Sequence, residues 1–245
     1  KGDGSTAPSG NSNIAIGSYT LDAITTGASN IAIGHNALTA IPAYSYNIAI
    51  GHQALESENG AHGNVAIGYQ ALQDQVVAAA QNVAVGYQAA LNLSLGKDSV
   101  YMGYLAGGVG VITGANNVVL GKSAALNATG MNHSIVIGTN ANNIGVNTGA
   151  DNVLIGHAAG QDITSGVSNV LIGRDAGLNI NSGVSNIAIG AYSLDGANGG
   201  NDYCIAIGDG AMGADTQNSQ YCVAIGDHAL ALQNGAHTQR NTAIG

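Results

Sequence analysis

Short apolar runs alternate with polar turns along this chain at a nearly constant interval. Fourteen three-residue runs each end in glycine, from Ile14-Ala15-Ile16-Gly17 to Thr242-Ala243-Ile244-Gly245, and successive glycines lie 17 to 19 residues apart. With the closing glycine as position 0, position −3 is Ile or Val in every copy but the last, and position −1 is Ile, Val, Leu or Met. Position −2 is Ala in nine copies and Tyr101, Val119, Val136, Leu154 and Leu171 in the central five. So short and regular a period describes one unit stacked many times. Side chains alternate along a strand, so positions −3 and −1 share one side and −2 takes the other. Both sides are apolar, so burial is expected on both: one in the coil interior, the other against a partner subunit. We assign the −2 side (Ala15, Ala32, Ala49, Ala66 and their counterparts) to the subunit contact, which makes the five large residues a thicker middle. On the same phasing Ile155 falls in the core and Ser165 in an exposed turn.

After the glycine comes x-x-Ala, usually followed by Leu or Gly, as in His35-Asn36-Ala37-Leu38 and Arg174-Asp175-Ala176-Gly177. This predicts a second short extended segment that closes the coil. The polar stretch beyond it, such as Thr164-Ser165-Gly166-Val167-Ser168, carries all the length variation and reads as the exposed turn. Position −4 stacks into a file: Asn13, Asn30, Asn47, Asn64, Asn82, Asn117, Asn152, Asn169, Asn186, Cys204 and Cys222, with Ser99 and Ser134 between them. Amides in such a file can bond along the stack and cap turns, a structural ladder. Cys204 and Cys222 hold the same phase one coil apart, and side chains starting about 4.8 Å apart are wider than a disulfide prefers, so free thiols are expected.

Charge narrows the partners. Lys and Arg together number 5 against 14 Asp and Glu, for a net charge of −9, so nothing neutralises a phosphate backbone and no nucleic acid is expected. No apolar run approaches the ~20 residues of a membrane span, so no membrane insertion is expected. Phe and Trp are absent while 45% of residues are apolar, which suits a thin core of aliphatic side chains. We divide the chain into a lead-in, 1–12, and a repeat solenoid, 13–245, and read it as a piece of a longer fibrous protein.

The run Asn-x-Ile/Val-Ala-Ile-Gly-x-x-Ala resembles the YadA-like head repeats of trimeric autotransporter adhesins and the shaft repeats of bacteriophage tail fibres. The resemblance spans Asn13 to Gly245. It implies an all-β fold, a left-handed parallel β-roll of about fourteen coils, assembled as a homotrimer. It also implies an extracellular, cell-surface or virion location and a structural and adhesive role in attachment to a host surface, glycan or protein. The coils here are longer than those of adhesin heads, with the excess in the Thr-Gly turn, which favours a fibre shaft.

Other motifs lead less far. Ile-Gly-x-x-Ala-x also matches one unit of the hexapeptide β-helix of trimeric acyltransferases, but that fold needs three such hexads per coil. Gly208-Asp209-Gly210-Ala211-Met212-Gly213 fits G-x-G-x-x-G without the helix that dinucleotide binding requires. Gly199-Gly200-Asn201-Asp202 occurs once, where a calcium-binding roll needs succession. An ice-binding solenoid would want a regular Thr file. No catalytic residues, cofactor or metal are expected. The recognition candidates are His35, His52, Tyr69, Tyr87 and Tyr104, which share position +1 and form a file able to stack on sugar rings, while Asp195, Asp202, Asp209, Asp215 and Asp227 gather toward the C-terminus.

Overall fold

The computed structural model describes residues 10–40, 42–57, 62–75, 81–196, 199–214, 219–232 and 240–245. The lead-in up to residue 9, and Asp215, lie outside them. The chain divides into two compact units, 1–120 and 121–245. The first unit contains β1 (Ile14–Ile16), β2 (Ile31–Ile33), β3 (Ile48–Ile50), β4 (Val65–Ile67), β5 (Val83–Val85), β6 (Val100–Met102) and β7 (Val118–Leu120). The second contains β8 (Ile135–Ile137), β9 (Val153–Ile155), β10 (Val170–Ile172), β11 (Ile187–Ile189), β12 (Ile205–Ile207), β13 (Val223–Ile225) and β14 (Thr242–Ile244). In each unit consecutive strands pair in parallel with no register slip, so Ala32 faces Ala49 and Leu171 faces Ala188. The fold is an all-β parallel solenoid with one three-residue strand per repeat.

Glycine closes each strand for two physical reasons. Its φ lies between 131° and 141° in every copy, a region that side chains with a Cβ avoid. A Cβ at Gly156 would also stand 2.2 Å from the carbonyl oxygen of Gly173 in the next coil.

The segment after the glycine is a turn, not the extended piece expected from sequence. Positions +2 and +4 are left-handed and in most coils not glycine, as at Asn36 (φ 55) and Leu38 (φ 56) or Gln53 (φ 55) and Leu55 (φ 53). Such residues cost roughly 1–2 kcal/mol each. Their amides offset this by bonding to neighbouring coils: Gln53 N–H donates to the His35 carbonyl at 2.9 Å and Leu55 N–H to the Ala71 carbonyl at 3.0 Å. The conformation is therefore a property of the stack.

That turn curls over position −2, which overturns the assignment of strand faces. Ala32, Ala49, Ala66, Tyr101, Leu154 and Leu171 are buried within the chain itself, and only Ala15 on the first strand is open. The −2 side is the coil interior, not a subunit contact. Positions −3 and −1 face outward: Ile67, Ile135 and Ile189 are 36–37% exposed, and Ile155 is only half-buried instead of lying in the core. Ser165 is exposed, as expected.

Nor is the middle thicker. Where −2 is alanine, +4 is large in every coil of the described residues that has both positions except Ala84 with Ala90, as in Ala32 with Leu38, Ala49 with Leu55 and Ala188 with Leu194. Where −2 is largest, +4 shrinks to glycine, as in Tyr101 with Gly107, Leu154 with Gly160 and Leu171 with Gly177, while the smaller Val119 and Val136 stand with Ala125 and Asn142. A Cβ at Gly107 would meet the Tyr101 ring at 2.7 Å, and one at Gly177 would meet Leu171 Cδ1 at 2.6 Å. The two positions share one interior volume at close-packed density.

The ladder at −4 forms as expected. Backbone N–H groups of Asn47, Asn64 and Asn82 each donate to the side-chain oxygen one coil back, at 2.9 Å, and Asn169 and Cys204 repeat this at 3.0 Å on Asn152 and Asn186. Side-chain amides of the file also reach forward to turn carbonyls, as from Asn152 to Gly166 at 2.8 Å and from Asn169 to Gly183 at 2.7 Å. The file is buried from Asn30 onward, so these bonds satisfy groups that water cannot reach. Cys204 and Cys222 are buried and form no disulfide, as expected.

Tyr101 carries the one phenol in this interior. Its hydroxyl lies near Ser99 and Asn117, but neither meets hydrogen-bond geometry, and it is left without a partner. Burial pushes its pKa up to about 12 from 10.0. Because the folded value is the higher one, the neutral phenol's contribution is intact below pH 10.0 and is lost as pH rises through about 12. Tyr101→Phe is expected to be at least as stable as the parent at pH 7, since it removes an unsatisfied buried group. It should also lose less stability between pH 10 and 12, which urea titration at each pH will measure.

Candidate surface-recognition site

Residues at +1 leave the closing glycine just as the chain turns away from the strand, so their side chains point out of the coil. In-phase coils then bring them together at the strand spacing, about 4.8 Å. His35, His52, Tyr69, Tyr87 and Tyr104 form one continuous file in the first unit. Successive ring centroids are 5.1, 5.3, 5.0 and 5.2 Å apart, with interplanar angles of 10–14°. Tyr19 meets the His35 end edge-on at 5.7 Å. Each offset-stacked pair adds about 0.5–1.5 kcal/mol beyond its buried area.

The stacking changes what the file can do. The three tyrosines are 40–49% exposed, but inside the file each ring turns its faces to its neighbours. A sugar ring therefore has no free tyrosine face to lie on at Tyr69 or Tyr87. Ring edges, phenol hydroxyls and imidazole nitrogens remain open.

A second, polar file runs beside it at +2. Gln70 Nε2 donates to Gln53 Oε1 at 3.0 Å and Gln88 Nε2 to Gln70 Oε1 at 2.7 Å. Glu56 anchors its lower end by accepting from Asn36 at 3.0 Å, Gln53 at 2.8 Å and Gln73 at 2.7 Å. Sequence reading missed this file, although Gln at +2 in three successive coils was a visible signal. Together the two files make a rigid surface whose hydrogen-bonding groups repeat once per coil.

The second unit is built differently. Tyr203 and Tyr221, at position −5, stack at 5.1 Å, and the Arg174 guanidinium sits 4.5 Å from the centre of the Tyr192 ring. His157 and Asp175 lie 3.7 Å apart. Asp195 and Asp209 line one shallow cleft, whereas Asp202 accepts a bond from the Val184 amide at 2.9 Å, and among the described residues no group of three His, Cys, Asp or Glu side chains could hold a metal ion. Gly208–Gly213 is a turn after β12 and opens no helix. Among the described residues no helix is long and apolar enough to cross a membrane.

No protein-family model, curated protein or solved structure matches this chain.

Proposed function

We propose that this chain is a structural and adhesive segment of an extracellular or virion fibre, a left-handed roll that assembles as a homotrimer and supports attachment to a host surface glycan or protein. The observation that carries this reading is the outward face of the strands. Every described strand but the last adds two aliphatic side chains to it at −3 and −1, and they are half-buried or exposed in the single chain. Soluble monomers rarely show contiguous apolar patches beyond a few hundred Å². A second and third copy of the same chain fit this face because its in-register Ile and Val files repeat at the same spacing in each copy. Self-association through a repeating face gives a stiff rod, the mechanical requirement for holding a recognition element away from its base. The outward aromatic and glutamine files are the chain's own candidates for contact with a host surface.

Light scattering on the purified chain is the direct test. The expected mass is three times the 24.1 kDa of one chain. Ile172→Glu with Ile189→Glu, on the outward face, should lower it to one chain while the far-ultraviolet β signal survives. A well-folded monomer at micromolar concentration for the unaltered chain would overturn the assembly. Because the role is support, immobilised glycans are expected to hold the isolated chain weakly, and strong saturable binding would make it the recognition head instead.

A further inference from the structure

The second unit interrupts its own surface file. Position +2 on three successive coils is Tyr192, Gly210 and His228, all with φ between 53° and 59°. Glycine in the middle leaves a missing rung. The gap opens a cleft of about 400 Å³ whose lining includes Tyr192, Asp195, Asp209, Gly210, Gly213 and His228. Arg174, one coil earlier, already covers one face of the Tyr192 ring. Gly210 puts no side chain over the other face, and the His228 ring, 3.1 Å from where a Gly210 Cβ would stand, walls the far side of the gap. At the floor, Asp195 Oδ1 lies 3.2 Å from where a Cβ on Gly213 would stand, so its carboxylate is directed into the space that glycine leaves. His228 is tied to Asp227 through Nδ1 and Oδ1 at 2.8 Å, which adds a third carboxylate at the rim.

An open aromatic face, apolar small residues and a surplus of carboxylate define a chemistry. We propose that this cleft binds a small quaternary alkylammonium ion, whose methyl groups occupy the vacant rung against Tyr192 and whose charge is met by Asp195 and Asp209. Aromatic faces attract such cations through the ring quadrupole, most strongly when partly desolvated. The carboxylates supply the counter-charge. The site lies within one unit and does not depend on assembly into a fibre.

Asp195 gives the binding a pH signature. Its pKa is raised to about 6, mainly by burial and further by Asp175. A bound cation favours the ionised carboxylate, so affinity is expected to be full above pH 6 and to fall as the pH drops below it. Asp209, Arg174, Tyr192 and the Asp227–His228 pair also face this region.

The test is calorimetric titration of the whole chain with choline at pH 7.5, beside its uncharged tert-butyl isostere. Choline is expected to bind saturably and the isostere at least about tenfold more weakly, the equivalent of one modest charge interaction. Asp195→Asn should weaken choline by about tenfold and flatten the pH profile near 6. Gly210→Gln should restore the rung and abolish binding while the chain stays folded, because Gln53, Gln70 and Gln88 hold the same phase at φ 52–55°. A Cβ there meets only the movable His228 ring, at 3.1 Å. No saturable choline binding, equal binding of the isostere, or full binding by a folded Gly210→Gln chain would each overturn the assignment.

Discussion

Gly156→Ala is expected to collapse the coil around β9 rather than weaken it by a small step. The residue sits at φ 140°, and its new Cβ would stand 2.2 Å from the Gly173 carbonyl oxygen. The obstacle is backbone, so no rotamer change relieves it. Holding an alanine in that region costs on the order of 1–3 kcal/mol. Holding that φ does not relieve the clash, so the coil must also shift, which breaks bonds such as Gly173 N–H to the Ile155 carbonyl, 2.8 Å, at about 1 kcal/mol each. Together these reach about 4 kcal/mol or more, the range reserved for a few mechanisms. Gly160→Ala is the control. At φ 55° it shares the left-handed turn that alanine adopts at Ala90 (φ 49), and its Cβ meets only side chains, Ile163 at 2.8 Å and Leu154 at 3.0 Å. Overpacking there should cost about 1–3 kcal/mol. Urea denaturation of both variants will show the difference, and equal losses would mean that backbone crowding at the closing glycine is not what requires it.

Leu171→Ala is expected to cost about 2–5 kcal/mol as a fully buried truncation. Adding Gly177→Leu should restore most of it, because the pair then copies Ala32 with Leu38, and leucine already adopts the turn at φ 56° there. Alone, Gly177→Leu drives a side chain into Leu171 Cδ1, where even a Cβ would be only 2.6 Å away. The double-mutant cycle should therefore show coupling toward the upper end of the usual 0.5–3 kcal/mol for contacting residues. Additive losses would show that −2 and +4 do not share one volume. Ile172→Ala, on the half-buried outward side, should cost a single folded chain less than Leu171→Ala.

Much of this architecture was legible before any coordinates because it is periodic and local. Phase alone located the fourteen strands, the closing glycines, the asparagine file interrupted by two cysteines and the outward +1 residues. Each depends on what one coil repeats in the next, and a one-dimensional repeat stores that in the sequence. Which face of the strand is inside was not legible in the same way. Ile-Ala-Ile is apolar on both sides, so alternation separates the faces without saying which is interior. The turn decides it, by curling toward −2 through left-handed residues such as Asn36 and Leu38. Leucine disfavours that conformation on its own, so local propensity pointed to an extended segment and was overruled by bonds between coils. A trace of the answer did lie in the sequence, in the exchange of size between Ala32 with Leu38 and Leu171 with Gly177. It acquires meaning only when the turn brings those positions into one volume. The surface follows the same division. Sequence placed His35 to Tyr104 in a file, but only the tertiary spacing of about 5 Å turned their faces inward upon each other. Likewise Gly210 is one glycine among 38 until Tyr192 and His228 stand on either side of it, because an absent side chain is a cavity only where neighbouring coils supply the walls.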